Sequence, residues 1–345
     1  MPMKIGINGT GLITRAIVKL AAFNEEFREI DIVQINGRSM DIDTLKDRLL
    51  FSTAHGHSKL EVEVDKDENI IIVNGKKIKY SQQTNPEEIE WLPEIELMIE
   101  ATGSFRDTRS NSGNPYRHFK SPNNNLRCII ISAPGKGDIK DFMYIGSPNL
   151  NDDIEALINS GQPFVIGGAS CTTTAAVPII DTLDENFGIE SCFLTTIHAV
   201  TRSQEILDGS GGWSGLDTQL HTTGATSSTN KVLKKKIPMN GIAYRTADKS
   251  GSFIQIDAQL KRNVELLEIN QAFKDSKYAK FISYPTVNCP STSYILGDTG
   301  MVLLIPEEFV IINGNRVIIK GLYDNEEGYA SHFMRLVKQV SSLLK

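Results

Sequence analysis

Disulfide frameworks, membrane spans and basic patches are all missing from this chain, and each absence narrows what it can do. It holds four cysteines in 345 residues, at positions 128, 171, 192 and 289, and no two form a CxxC pair. Neither a zinc ribbon nor a disulfide scaffold is implied, and no metal site is expected. No apolar run approaches the ~18–20 residues of a membrane span. Lys4–Asn8 (KIGIN) reads as a strand, so no secretory signal opens the chain. Basic excess is missing too: 36 Lys and Arg face 42 Asp and Glu, a formal net charge of −6. That balance argues against a nucleic-acid or membrane-surface binder, whose footprint would be basic. It leaves small phosphate esters open, because they need only a few local donors. Reduced thiols without a leader predict a cytoplasmic protein. Internal repeats and low-complexity linkers are also absent.

What is present reads as a two-domain α/β protein. Hydrophobic residues make up 40% and charged residues 23%, enough to bury a sizeable core. The first third alternates strands and helices. Lys4–Asn8, Asp31–Ile35, Leu97–Ala101, Arg127–Ser132 and Phe142–Gly146 are short apolar runs, and Leu12–Ala22 has helical spacing. That order predicts a Rossmann-like parallel sheet, with a small antiparallel hairpin inserted over residues 60–80. After Ser170 the pattern changes. A helix over Thr172–Asn186 precedes longer runs at Phe193–His198, Ser252–Leu260 and Arg316–Tyr323, which predict a mainly antiparallel sheet. We therefore expect a dinucleotide-binding domain over residues 1–170 plus the C-terminal helix 328–345. An α+β catalytic domain with a mainly antiparallel sheet should span 171–327. Gly209–Gly215 (GSGGWSG) is the most flexible-looking stretch.

Gly9-Thr10-Gly11 sits between the first strand and its helix. Glycines there allow a tight turn and let the backbone approach a pyrophosphate at the helix N-terminus. The third glycine of the fingerprint is Thr14, so an ordinary strand–helix turn is the competing reading. A dinucleotide site usually also ends its second strand in an acid that binds the adenosine ribose. Here the sequence is Asn36-Gly37-Arg38-Ser39, with no acid. A guanidinium and a hydroxyl could instead donate to a 2′-phosphate, which favours NADP over NAD. A solvated Arg38 beside a loosely held NAD is the alternative.

Gly168-Ala169-Ser170-Cys171-Thr172-Thr173-Thr174 joins an apolar strand to a helix that starts next to a cysteine. Backbone N–H groups and the helix dipole stabilise a thiolate there. Cys128, Cys192 and Cys289 lie in or beside apolar runs and read as core thiols. His198 ends the run Thr195-Thr196-Ile197-His198. A histidine there can withdraw the thiol proton and later donate to a hemiacetal oxygen.

ASCTT, TTIHAVT, INGTG and LYDNEEGY, with ISAPGKGD, ATGSF and FSTAHG, resemble the glyceraldehyde-3-phosphate dehydrogenase family in order and spacing along essentially the whole chain. The resemblance implies an NAD(P)-dependent oxidative phosphorylation of an aldehyde, with glyceraldehyde 3-phosphate as substrate and inorganic phosphate as acyl acceptor. It makes Cys171 the nucleophile and His198 the base. It places the cofactor at Asn8, Gly9, Gly11, Leu12, Arg38, Ser39, Thr102, Gly103 and Ser132, with Asn325 on the nicotinamide carboxamide. The substrate phosphate falls on Thr201 and Arg245, and inorganic phosphate on Ser170, Thr172, Thr223 and Gly224. A homo-oligomer is implied, a tetramer by the family pattern and a dimer as the alternative.

Several positions depart from the family pattern. Gly168 and Thr174 replace asparagines, Glu327 replaces an aromatic residue, and Gly37 replaces an acid. The arginine-rich stretch expected between Asp208 and Thr223 is absent. Weaker phosphate binding, a different anion and altered subunit packing are the expected consequences. Two further readings follow. One is the same chemistry on another phosphorylated aldehyde such as erythrose 4-phosphate, or with water as acceptor. The other is a cofactor-binding or redox-sensing paralogue with little turnover.

Overall fold

The computed structural model describes residues 2–122, 125–201, 204, 214–288 and 290–345. Cys289 and residues 209–213 of the glycine-rich stretch lie outside the described residues. Two compact units make up the chain. The first comprises Met1–Tyr144, Asn149–Ala169 and Phe333–Lys345, and the second Ile145–Pro148 and Ser170–His332.

The first unit carries one eight-stranded sheet: β1 (Met3–Asn8), β2 (Ile30–Asn36), β3 (Val62–Asp65), β4 (Ile70–Val73), β5 (Lys76–Ser81), β6 (Leu97–Glu100), β7 (Cys128–Ile131) and β8 (Phe164–Gly167). Its order is β8-β7-β6-β1-β2-β5-β4-β3. The strands from β8 through β5 run parallel, and β5, β4 and β3 are antiparallel neighbours. Parallel pairs need crossovers, and α1 (Leu12–Phe23), α2 (Ile42–Leu50) and α3 (Leu150–Asn159) lie in these connections. Strands β6, β7 and β8 are buried at every position, which is why they read as unbroken apolar runs rather than alternating ones. The hairpin expected at 60–80 is β3 to β5, and its last strand extends the main sheet by pairing parallel to β2.

One expected strand is absent. Residues 142–146 form no strand, although they are apolar. Only Asp141 bridges to Gly167, and residues 144–146 turn. The Phe142 N–H still donates to Gly167 O at 2.8 Å, but the backbone then turns away, so the pairing with β8 ends there.

The second unit opens with α4 (Cys171–Phe187) and holds β9 (Ile189–His198), β10 (Gln219–Thr222), α5 (Ala225–Val232), β11 (Met239–Arg245), β12 (Ser252–Leu260), α6 (Leu266–Asp275), β13 (Ile282–Ser283), β14 (Val302–Leu304), β15 (Val310–Ile312) and β16 (Arg316–Tyr323). The final helix, α7 (Glu327–Leu344), starts in this unit and ends in the first. The sheet order is β10-β11-β9-β12-β16-β14-β13, with β15 also on β16. The pairs β9–β11 and β13–β14 are parallel and the others antiparallel, so the sheet is mainly antiparallel as expected. Strand β12 alternates buried and half-buried residues along its length, the period-2 signature that made it legible. Helix α4 packs over β12, β16 and β9. It is buried on nearly all sides, in keeping with its uncharged start Cys171–Ile180. Among the described residues no helix is long and apolar enough to cross a membrane.

Candidate active site

Cys171 owes its position to the turn between β8 and α4. Ala169 adopts φ +56°, a left-handed conformation that costs a non-glycine residue about 1–3 kcal/mol and is typical of constrained sites. Ser170 caps α4, its hydroxyl accepting the Thr173 N–H at 3.1 Å. Cys171 is therefore the first helical residue. The thiolate would be met by the backbone N–H groups of Cys171 and Thr172.

His198 is the last residue of β9, and its Nε2 lies 3.4 Å from Cys171 Sγ. Its Nδ1 sits 2.8 Å from Ala199 O. A carbonyl can only accept, so Nδ1 carries the proton and Nε2 is the free base facing the thiol. Burial, seconded by the nearby Arg245 charge, pushes His198 down to about 4. Burial also raises the Cys171 thiol above its ordinary value, opposed by Arg245 and by donors on Thr172. In the free protein the pair thus rests as neutral thiol and neutral imidazole. Cys128 and Cys192 are buried; Cys128 is shifted strongly upward and Cys192 up to about 12, so neither offers a thiolate.

Arg245 ends β11, the parallel neighbour of β9, and its register partner is His198. Parallel pairing brings the two C-terminal strand ends to one edge, so base and guanidinium stand side by side. Arg245 Nη1 is buried without a hydrogen-bond partner. A second orphan donor follows His198 along the chain: Gln204 accepts the Thr201 N–H at 2.9 Å through Oε1, while its Nε2 is buried and unpartnered.

Sequence reasoning assigned no role to Tyr323 or Thr196, yet both support this centre. Tyr323 is buried, and its hydroxyl lies 2.9 Å from Thr172 Oγ1 and 2.8 Å from Thr196 Oγ1. Thr196 donates to Phe253 O at 2.8 Å. Each hydroxyl has one proton, so while Cys171 is the neutral thiol Thr196 donates to the backbone, Tyr323 to Thr196 and Thr172 to Tyr323. The signal was the inward phase of Tyr323 in β16 and of Thr196 beside His198 in β9.

Other expected site residues stand apart from this group or are otherwise engaged. The Ser170 hydroxyl serves as the helix cap. Thr223 Oγ1 accepts the Ala225 N–H at 3.1 Å, and Gly224 opens α5. No hydrogen bond among the described residues ties Thr223 or Gly224 to Cys171, His198 or Arg245. Asn325 holds its carbonyl oxygen toward Gly251 N (2.9 Å) and Ser252 Oγ (3.2 Å), which leaves its amide group able to donate.

In the first unit, Gly9 takes φ +118°, and a Cβ there would lie 2.8 Å from Ala101 C. Gly11 caps α1 with no side-chain bond to the helix, and a Cβ there would meet nothing within 4 Å. An open helix N-terminus behind two glycines fits a pyrophosphate. Thr14 replaces the third glycine without conflict, because its hydroxyl folds back onto Gly9 O at 3.0 Å. The Asn8 side chain is committed to Glu100 Oε2 (2.7 Å) and accepts from Asn36 (2.8 Å), so it shapes the turn from beneath. Thr102 bonds Glu100 through both its N–H and its hydroxyl. The Ser132 N–H donates to Glu100 O, and Gly103 takes φ +74°. Leu12, Arg38 and Ser39 are exposed, and neither Arg38 nor Ser39 makes a side-chain hydrogen bond among the described residues.

The family model for "Glyceraldehyde 3-phosphate dehydrogenase, NAD binding domain" matches residues 3–108, and the one for the C-terminal domain matches residues 170–325. The chain belongs to the glyceraldehyde-3-phosphate dehydrogenase family. It is 32% identical to the Streptomyces coelicolor glyceraldehyde-3-phosphate dehydrogenase over 358 residues, covering 100% of both chains. It is 29% identical to glyceraldehyde-3-phosphate dehydrogenase 2 of Bacillus subtilis, over 100% of this chain and 98% of that one. It is therefore an oxidoreductase of this family with a nicotinamide-dinucleotide-binding domain. The departures from the family pattern have structural counterparts. A Cβ on Gly168 would lie 2.4 Å from two ring carbons of Phe333, so no asparagine fits beside that ring. The Thr174 hydroxyl donates to Ser170 O at 3.0 Å. Glu327 opens α7, and its N–H donates to Asp324 Oδ1 at 2.9 Å.

Proposed function

We propose that this family member oxidises a phosphorylated aldehyde, glyceraldehyde 3-phosphate or a near relative, to an acyl phosphate through a thioester on Cys171. The observation that carries this reading is the buried, unpartnered Nη1 of Arg245, in register with His198 and acting on the charge state of Cys171. A nucleophile, a base and an unsatisfied guanidinium at one edge suit an anionic electrophile.

Cys171 Sγ attacks the aldehyde carbon as His198 Nε2 takes the thiol proton, which forms a C–S bond and a hemithioacetal. The Cys171 N–H and the new imidazolium stabilise the oxygen, and the imidazolium returns its proton to it, leaving His198 neutral. When bound, the nicotinamide supplies the hydride acceptor, oriented by the amide of Asn325. His198 removes the hydroxyl proton as the carbonyl of the thioester reforms. Inorganic phosphate, held by Thr172, Thr223, Gly224 and the turn at Ser170, then attacks the thioester and releases Cys171. The balance is aldehyde, oxidised dinucleotide and phosphate to acyl phosphate, reduced dinucleotide and one proton. Thr201 and Arg245 hold the substrate phosphate. Burial is the main cause of the low His198 value, and an anion on Arg245 offsets the smaller part that comes from the guanidinium, so binding makes Nε2 a somewhat stronger base.

The dinucleotide lies on Gly9, Gly11, Leu12, Thr102, Gly103 and Ser132, with Arg38 and Ser39 on a 2′-phosphate. NADP is the preferred form, because no carboxylate stands at position 37 to repel that group. Dinucleotide reduction with glyceraldehyde 3-phosphate and phosphate should run faster with NADP than with NAD at equal concentration. Faster turnover with NAD would sink the 2′-phosphate assignment, and no turnover with either would sink the aldehyde reading. The missing arginine stretch favours a second reading in which water replaces phosphate as acceptor. A rate independent of phosphate concentration would select it.

Self-association is part of the proposal. Ile197, Tyr244 and Leu220 lie in register across β9, β11 and β10 and are exposed, and Phe193 is exposed further back along β9. An apolar row of that kind suits a subunit interface. Light scattering at the mass of a tetramer or dimer supports it, and a monomer refutes it.

A further inference from the structure

The missing acid at position 37 does not leave a vacant space. Gly37 is buried at the end of β2, and β5 runs beside it with Ile35 opposite Tyr80 and Asn36 opposite Ser81. The Gly37 N–H donates to Ser81 O at 2.7 Å. Tyr80 is only 3% exposed, and its hydroxyl donates to Met40 O at 2.7 Å. Gln82 Nε2 donates to the same oxygen at 2.6 Å. Residues 37–40, which include Arg38 and Ser39, are thus strapped to β5 and the residue that follows it by two side-chain donors on one carbonyl. A Cβ on residue 37 would lie 2.0 Å from Tyr80 Oη, 2.9 Å from its Cζ and 3.1 Å from Thr10 Cγ2. Tyr80 cannot give way cheaply, because moving it breaks the bond to Met40 inside a packed site.

We propose that Tyr80 is a specificity-determining residue of the dinucleotide site: its phenol fills the volume that an acidic side chain at position 37 would need and fixes the turn that presents Arg38 and Ser39. A neutral phenol does not repel a 2′-phosphate as a carboxylate does. It stays neutral, since burial, with the Asp41 charge, pushes its hydroxyl up to about 12. The proposal rests on the dinucleotide reading above and deepens it. Gly37 and Tyr80 act as one pair, in which an acid at 37 is admitted only when the ring at 80 is removed.

The test is equilibrium binding of NADP and of NAD to the full-length protein, followed by fluorescence or calorimetry, with thermal melts as a folding control. Gly37→Asp alone is expected to weaken both dinucleotides roughly tenfold or more, because the side chain collides with a fixed neighbour. Tyr80→Val is expected to weaken NADP several-fold and NAD less. Combining the two should restore NAD at least roughly tenfold over Gly37→Asp while NADP stays weak, the non-additivity of residues in contact. If the Tyr80→Val protein does not fold, Tyr80→Phe replaces it, because Oη is the nearest colliding atom. Effects that simply multiply would overturn the proposal. Tighter NAD than NADP binding by the unaltered protein would refute the 2′-phosphate assignment but leave the double substitution to decide on Tyr80.

Discussion

Cys171→Ser is expected to lower turnover by roughly 10⁴ to 10⁶-fold, the scale seen when a nucleophile is removed from a catalytic set. The cause is chemical. A serine hydroxyl is far less acidic than a thiol, so the same base ionises it much less readily. The serine still fits, because Cys171 occupies the first turn of α4 and its backbone is fixed by the Ser170 cap. Dinucleotide affinity should stay within a factor of two or so, since the Gly9–Gly11 turn is formed by other residues. Rapid mixing of variant and substrate would read both quantities. A serine variant with activity close to the unaltered protein would end the thioester mechanism.

His198→Asn is expected to cost roughly 10² to 10⁴-fold in kcat, the range of a positioned general base. A pH experiment separates the base from a structural residue. The folded chain keeps His198 neutral until about pH 4, whereas the unfolded chain protonates it near 6.5. The unfolded state therefore binds more protons in that window, and stability rises with pH there. The contribution is complete above pH 6.5 and declines as pH falls toward 4, by up to about 3 kcal/mol. Thermal melts between pH 7 and 4.5 should drop less for the asparagine variant than for the unaltered protein. Equal drops would show that His198 is not held neutral, and an undiminished kcat would remove it from the mechanism.

Much of the fold was legible because its signals are local. Period-2 alternation marked β12, unbroken apolar runs marked β6 and β7, and helical spacing marked α1. The misread segment 142–146 had the right composition, but after one bond from the Phe142 N–H to Gly167 O its backbone turns, which composition does not report. The placement of Cys171 at a strand–turn–helix junction and of His198 at a strand end was legible. Their neighbours were less so. Arg245 reaches His198 only through the parallel pairing of β9 with β11, and Tyr323 reaches Thr172 across 151 positions. Both depend on strand order, which no local window contains. Position 37 shows the same limit, because the sequence reveals the missing acid but not the tyrosine filling its volume.

The parallel pair β9–β11, set in a mainly antiparallel sheet, has a consequence for how this centre can change. Two parallel neighbours cannot be joined by a tight hairpin, so a long connection must run between His198 and Met239. That connection includes β10, α5 and the segment that lacks the family's arginine stretch. Its length is uncoupled from the spacing of His198 and Arg245, which the ladder sets residue by residue. Insertions or deletions in that connection therefore need not alter the register that holds His198 opposite Arg245.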